Sequence, residues 1–173
     1  MSEQKPILEV NNLRVSYHTY AGEVKSVRGV TFSLNKGEAL AIVGESGCGK
    51  SVTAKSIMGL IKAPQGEIKK DSEILYNGTN ILNYDKKQWK NYKGGECAII
   101  FQDALASLNP TMRVGKQIME NILQHNKSMS KSEAFEEAVK MLDMVGIPDA
   151  RQRAKQYPHE FSGGMRQRAM IAI

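Results

Sequence analysis

A glycine-rich segment from Gly44 to Ser51 has the residue types and spacing of a phosphate-binding loop. Its sequence, GESGCGKS, fits the pattern G-x-x-x-x-G-K-S. Glycines allow backbone angles that turn N–H groups towards an anion, and a helix beginning at Ser51 would add the positive end of its dipole. The Lys50 ammonium would reach the outer phosphates, and the Ser51 hydroxyl would ligate the Mg²⁺ that nucleoside triphosphates carry. A glycine-rich turn without a ligand is the alternative, but these fixed positions rarely co-occur by chance.

Two further candidates lie where strands are predicted to end. Tyr17 follows an alternating segment at residues 7–15, and its ring would either stack on a purine or be an ordinary strand-end tyrosine. Gln102 follows the continuous apolar run at residues 97–101, which predicts a buried central strand. Ligands of open parallel sheets bind outside the carboxyl ends of the strands. That position favours a functional Gln102 over a surface loop glutamine.

A second possible anion site is the SGG segment, Ser162-Gly163-Gly164. Ser162 is a natural helix N-cap, and the two glycines would leave the start of the helix open to an anion. Three residues of these types occur together by chance often enough that the segment is a weak signal by itself.

The composition is that of a globular protein with one hydrophobic core. The 173 residues are 41% hydrophobic, enough for one cored domain, and carry a formal net charge of +6. The basic residues are spread along the chain, so the charge fits nucleotide phosphates as well as nucleic acid or an anionic membrane surface. Cys48 and Cys97 lack metal or disulfide spacing. With no membrane-length apolar run and no signal-peptide pattern at residues 1–6, we expect a cytoplasmic chain.

The remaining patterns place these motifs on elements. Alternation at residues 7–15 and 25–35 predicts two antiparallel strands that flank a buried strand at residues 40–43, which carries the loop. The helix that begins at Ser51 is predicted to continue over residues 52–61 and to end at the turn at 62–66. A strand at 73–76 is predicted to lead into a turn at Asn77-Gly78. Helical spacing occurs at residues 114–125, and Ser130-Lys131-Ser132-Glu133 is a capping box for the next helix.

Taken in order, Tyr17, the loop Gly44–Ser51, Gln102 and the segment FSGGMRQR at residues 161–168 resemble the ATP-binding-cassette (ABC) ATPases. The resemblance covers nearly the whole chain. Residues 102–115, with the sequence SLNP inside them, are similar to the dipeptide and oligopeptide importer branch, and nickel importers share these features.

The resemblance implies a role for each motif. Tyr17 would stack on adenine, and Gln102 would contact the magnesium or the attacking water on a loop that senses the membrane subunits. Lys50 and Gln102 would be the catalytic residues, and Ser162 with its glycines would touch the γ-phosphate of ATP bound to another ATPase subunit. The implied nucleotide-binding set is Tyr17, Gly44, Glu45, Ser46, Gly47, Cys48, Gly49, Lys50, Ser51, Val52, Ser162, Gly163 and Gly164, and the implied metal set is Ser51 and Gln102.

The implied fold is α/β: a P-loop NTPase core with an antiparallel β flank and a helical subdomain. The expected boundaries are 1–106 for the ATP-binding core, 107–160 for the helical subdomain and 161–173 for the SGG segment and the start of its helix. The implied cofactors are ATP and Mg²⁺. The implied partners are a second ATPase subunit, two membrane-spanning permease subunits and, indirectly, an extracytoplasmic solute-binding protein, with no nucleic acid, at the cytoplasmic face of the cell membrane.

The sequence departs from the family after the SGG segment. Members continue with an apolar strand ending in Asp-Glu and later with a switch histidine, and neither is present in these 173 residues; His159 precedes the segment. We therefore expect a fragment that binds MgATP without hydrolysing it. The alternative that the protein is a non-enzymatic, nucleotide-binding remnant also remains open. A DNA-associated ATPase of the same superfamily is disfavoured, because the chain between Gln102 and Ser162 lacks the heptads of long coiled-coil arms.

Overall fold

The computed structural model describes residues 5–101 and 107–173, and the chain contacts divide it into two units, Met1–Ala98 and Ile99–Ile173. The first unit contains an antiparallel sheet with two helices. The second is helical. Each unit has a hydrophobic core of its own.

The sheet of the first unit is built around its first strand. The strands are β1 (Leu8–Thr19), β2 (Gly22–Leu34), β3 (Gly66–Ile68), β4 (Glu73–Tyr76) and β5 (Thr79–Asn80). The order is β2-β1-β4-β5, with β3 also paired to β1, and every pairing is antiparallel. The two predicted antiparallel strands and the strand at residues 73–76 are therefore confirmed. The β4–β5 hairpin turns at Asn77 and Gly78, which have φ of 48° and 76° as a type I′ turn requires.

Alternation along β1 separates a core face from an outer face. Leu13 and Val15 are fully buried, while Arg14 between them is exposed. The core also takes the first helix, α1 (Lys50–Ile57), through side chains such as Val52 and Ile57. The helix carrying the glycine-rich loop therefore packs on the same sheet face as Leu13 and Val15.

Helix α1 is shorter at its C-terminus than the sequence predicts. It ends at Ile57 because Gly59 adopts a left-handed conformation with φ of 57°. The Leu60 N–H donates to the Lys55 carbonyl at 2.9 Å and the Gly59 N–H to the Ser56 carbonyl at 3.0 Å, the two bonds of a Schellman motif. The predicted terminator at residues 62–66 lies beyond this natural end.

An aromatic cluster joins the second helix, α2 (Lys86–Gly95), to the core. Trp89 and Tyr92 meet edge to face at 5.6 Å, and Tyr92 meets Tyr76 of β4 at 5.1 Å. Burial raises the pKa of the Tyr92 hydroxyl. The lysines of this helix are exposed, except Lys93, whose pKa is lowered by burial and by Lys62.

Two predicted buried strands are wrong. Residues 39–45 have no regular secondary structure, and Leu40, Ile42 and Val43 are 48%, 45% and 88% exposed. Residues 98–101 are likewise irregular, with Ile100 61% exposed. A parallel-sheet strand is stable when strands on both sides satisfy its backbone groups, and no described strand pairs with either segment.

The second unit is a helical bundle. Within the described residues its α-helices are α3 (Val114–His125), α4 (Lys131–Met144), α5 (Ala150–Arg153) and α6 (Gly163–Ile171). Helix α3 has the predicted bounds, and the predicted capping box begins α4, since the Ser130 hydroxyl accepts from the Glu133 N–H at 3.2 Å. Ile118 of α3, Leu142 of α4 and Phe161 before α6 meet in one core, which positions the SGG segment.

No helix in the described part of the chain has the length and apolar character needed to cross a membrane.

Candidate nucleotide-binding site

The glycine-rich loop leads directly into α1. Gly49 is the N-cap of the helix, with φ of 98°, and Lys50 is its first residue, one position earlier than predicted. A Cβ atom on Gly49 would lie 2.6 Å from the Ser26 carbonyl oxygen and 3.3 Å from Val27 Cγ2. Glycine is therefore required here by both the backbone angle and the close approach to β2.

The Lys50 ammonium lies inside the loop. It donates to the carbonyl oxygens of Gly44 and Glu45, at 2.7 Å each, and lies 3.6 Å from Cys48 Sγ. It forms no ion pair with a carboxylate among the described residues. A full positive charge held only by neutral carbonyl groups can exchange them for phosphate oxygens, which are stronger acceptors because they are charged.

The start of α1 supplies backbone donors beside that ammonium. The first N–H groups of a helix have no partner inside it, and they point along the positive end of the helix dipole. The first backbone hydrogen bond of the helix runs from the Thr53 N–H to the carbonyl of Gly49, the N-cap, at 2.8 Å. Residues 44–47 and Ser51 are exposed, so the loop and the Ser51 hydroxyl are accessible to a phosphate and its metal ion.

Tyr17 lies on β1, next to β2, the strand that contacts Gly49 of the loop. It pairs with Val24 of β2 on one side and with Gly66 of β3 on the other. Its ring is half-buried, with Cε1 3.2 Å from where a Cβ of Gly66 would stand. Val24 is two residues from Ser26, whose carbonyl contacts Gly49, so β2 connects the neighbourhood of Tyr17 to the loop.

The SGG segment begins α6 in the second unit. The Ser162 hydroxyl accepts from the Met165 N–H at 3.3 Å, as predicted for an N-cap. Gly163 and Gly164 are exposed, and an added Cβ at either would meet no described atom within 4 Å. Nothing in this unit's packing demands glycine at these positions, so the helix start is left open.

The remaining predicted residue is Gln102, which lies outside the described residues. Among those described, no group of three or more His, Cys, Asp or Glu side chains is placed to hold a metal ion. Of the implied metal set, Ser51 lies within the described residues, and its exposed hydroxyl beside the loop is an oxygen ligand of the kind that Mg²⁺ prefers.

Sequence analysis missed the contribution of Ser26 and Val27. They lie in β2, far from the loop in sequence, and contact Gly49 through a backbone carbonyl and a methyl group. Such a contact depends on how the chain folds back, and no residue type at position 26 would have indicated it.

With the loop, the sheet and the SGG segment in place, the chain belongs to the ABC transporter family, whose model matches residues 27–173. It is 54% identical over 173 residues to the dipeptide transport ATP-binding protein DppD of Lactococcus lactis, covering 100% of this chain and 49% of that protein. It is 53% identical over 167 residues to the oligopeptide transport ATP-binding protein OppD of Bacillus subtilis, covering 96% and 46%. The chain thus spans about half the length of these relatives.

Solved structures show the same fold. The dimeric structure of MJ0796, a bacterial ABC transporter cassette, matches with a TM-score of 0.80 at 22% identity, over 95% of this chain and 67% of that one. CbiO1 from Clostridium perfringens, part of the ABC transporter complex cbiONQ, matches with a TM-score of 0.70 at 24% identity, over 96% and 60%. The α/β P-loop fold predicted from the motifs is confirmed.

Proposed function

We propose that this chain is the nucleotide-binding part of the ATP-hydrolysing subunit of a peptide importer. The observation that carries the proposal is the Lys50 ammonium, held by two loop carbonyls at 2.7 Å at the start of α1. That arrangement occurs in a chain with more than half its residues identical to a dipeptide transport ATP-binding protein. Nucleotide binding and hydrolysis would drive passage of peptides through membrane-spanning partner subunits.

Each site residue has a proposed task. Lys50 and the N–H groups of residues 44–52 bind the phosphates of ATP, and Ser51 ligates the accompanying Mg²⁺. Tyr17 stacks on the adenine ring. Gln102 contacts the metal or the attacking water. Lys50 and Gln102 are thus the proposed catalytic residues, with water activation completed by groups beyond these 173 residues, so this stretch alone binds MgATP without turnover.

The SGG segment is proposed to serve a second ATPase subunit. Support comes from the open space at Gly163 and Gly164 and from the exposed start of α6, which can approach a phosphate closely. A subunit with this role would lie at the cytoplasmic face of the membrane, bound to two permease subunits and served indirectly by an extracytoplasmic solute-binding protein.

Peptide uptake tests the proposal in cells that depend on this protein. The Lys50→Ala variant of the full-length protein should lower uptake of labelled dipeptides and oligopeptides to background. Lys55→Ala, which removes a lysine from the last turn of the same helix, is the matched control and should retain uptake. Unchanged peptide uptake in Lys50→Ala, or loss of nickel uptake alone, would contradict a peptide substrate.

A double variant tests the shared site. Lys50→Ala and Ser162→Arg placed in one chain, with a wild-type partner chain, should remove ATPase activity from the assembled transporter, because each lesion falls in a different composite site. If Ser162 served the nucleotide of its own chain, the partner's site would stay intact and about half the activity should remain, for independent sites.

A further inference from the structure

The outer face of the sheet in the first unit carries a basic hollow of about 580 Å³. It lies on the face of β1 that exposes Arg14, opposite the buried Leu13 and Val15. No residue of the loop at 44–51 lines it, but Val27, which contacts Gly49, does, so the hollow lies beside the loop and has a charged lining of its own. The charged side chains that line it are Arg14, Lys25, Arg28, Lys69, Lys70, Glu67 and Asp71.

Two of the five cations are already paired with carboxylates. Arg14 Nη1 lies 3.2 Å from Asp71 Oδ2, and Lys69 Nζ lies 2.9 Å from Glu23 Oε1 and 2.7 Å from Glu67 Oε2. The bond from Lys69 is the main reason that the pKa of Glu23 falls to about 2, and the two carboxylates raise the pKa of Lys69. These acidic groups are therefore committed to Arg14 and Lys69.

Among the described residues, the other three cations form no such ion pair, although Lys25 is near enough to Glu23 to contribute to the lowering of its pKa. Lys25, Arg28 and Lys70 form no ion pair with a carboxylate in the described ranges 5–101 and 107–173. Arg28 also lies directly opposite Arg14 in the β1–β2 register, and like charges at paired positions destabilise a sheet. Asp71 already offsets the charge of Arg14, whereas the described contact of Arg28 is the bond from its Nε to the neutral Lys25 carbonyl at 3.4 Å, so an anion would find the charge of Arg28 uncompensated.

We propose that this hollow binds a phosphate group through Lys25, Arg28 and Lys70. The planar guanidinium of Arg28 can donate two parallel hydrogen bonds to phosphate oxygens, while the two ammonium groups act as point charges on either side. The phosphate is carried either by a soluble compound or by a lipid headgroup. The recognition chemistry is the same in both cases.

Calorimetric titration with pyrophosphate tests the soluble source. The titration uses the full-length protein with the substitution Lys50→Ala, in buffer without magnesium, so that the loop at 44–51 contributes little to pyrophosphate binding. Adding Lys25→Gln, Arg28→Gln and Lys70→Gln should weaken binding at least about tenfold, since three charge-assisted contacts are lost. The matched control is Lys86→Gln, Lys87→Gln and Lys90→Gln, which removes the same charge from exposed positions of α2 and should leave binding unchanged.

Flotation with vesicles of phosphatidylcholine and phosphatidylglycerol tests the lipid source with the same proteins. Loss of vesicle binding in the Lys25/Arg28/Lys70 variant alone, without an effect on pyrophosphate, assigns the site to a headgroup. Equal losses in the control variant would show only non-specific attraction and overturn the proposal, as would no loss for either probe. If the triple variant fails to fold, NMR of the Lys50→Ala protein, in which these three residues are intact, tests the site instead. Pyrophosphate should shift the amide signals of Ser16, Lys25 and Arg28. Unshifted signals would overturn the proposal.

Discussion

At the scale of single residues, Gly47 and Gly49 of the loop differ in what surrounds them. Gly47 and Gly49 both have positive φ, of 82° and 98°. Only Gly49 also faces a close neighbour, the Ser26 carbonyl oxygen, since an added Cβ on Gly47 would meet nothing within 4 Å. A substitution at Gly47 therefore introduces backbone strain alone, while one at Gly49 introduces backbone strain and steric overlap with β2.

Gly49→Ala should lower nucleotide affinity and stability more than Gly47→Ala. Both variants place alanine in a left-handed conformation, which costs about 1–2 kcal/mol. Gly49→Ala also drives a Cβ to within 2.6 Å of the Ser26 oxygen, so the start of α1 must move. Urea unfolding and ATP titration of the two variants check this. Equal effects would show that the contact with β2 does not position the loop.

Tyr17→Ala should weaken ATP and GTP binding to a similar extent. Stacking on a base contributes about 1–3 kcal/mol and tolerates different bases, so affinity should fall about fivefold or more for both nucleotides. The control is Tyr20→Ala, in the turn between β1 and β2, whose side chain is fully exposed. Fluorescence titration measures both. Unchanged affinity in Tyr17→Ala would make Tyr17 an ordinary strand-end tyrosine.

At the scale of elements, α1 is joined to α2 through Gly59 and Trp89. A Cβ on Gly59 would lie 2.4 Å from the Trp89 ring. Lys93 Nζ donates to the Gly59 carbonyl at 3.3 Å and lies 4.9 Å from the centre of the Trp89 ring. The end of the helix that begins at the loop is thus fixed by an aromatic side chain from another helix.

Gly59→Ala should destabilise the protein by at least about 1 kcal/mol, because alanine is strained at positive φ and displaces Trp89. In a Trp89→Ala background the same change should cost less, since the overlap is gone. Trp89 is the single tryptophan of the chain, so its fluorescence reports the contact directly. Identical costs in both backgrounds would mean that Trp89 does not constrain Gly59.

The capping box of α4 predicts a pH dependence. The Ser130 hydroxyl and N–H bond the Glu133 carboxylate and lower its pKa below the ordinary value of 4.5. A carboxyl with a lowered pKa in the folded state stabilises the fold above its unfolded pKa, and this is lost as the pH falls through the folded pKa. Loss of the N-cap in Ser130→Ala should cost about 1 kcal/mol at neutral pH. The part of that cost that depends on the Glu133 carboxylate should disappear as the pH falls through the lowered pKa of Glu133.

Thermal unfolding across this pH range measures the effect. Ser132→Ala, at an exposed position in the first turn of α4, is the control and should show neither the loss nor its pH dependence. A cost for Ser130→Ala that stays constant down to pH about 3 would contradict a contribution from the Glu133 carboxylate.

At the scale of the whole molecule, sequence signals succeeded where their causes are local. The capping box at Ser130 and the turn at Asn77-Gly78 were predicted correctly, because each depends on residues a few positions apart. The buried strands at residues 40–43 and 97–101 were predicted wrongly, because an apolar run becomes a parallel strand only beside neighbouring strands. The loop motif was evident from the sequence, while its contact with Ser26 depends on the fold.

Binding of ATP by the loop at Gly44–Ser51 through Lys50 is the property on which the proposed function depends. Equilibrium titration of the full-length protein with MgATP tests it, comparing the wild type with Lys50→Ala and Lys55→Ala. Loss of a charge-assisted contact worth about 1.5–3 kcal/mol predicts binding weakened about ten- to a hundredfold in Lys50→Ala alone. Equal affinity in all three proteins would contradict a phosphate-binding role for Lys50 and its loop.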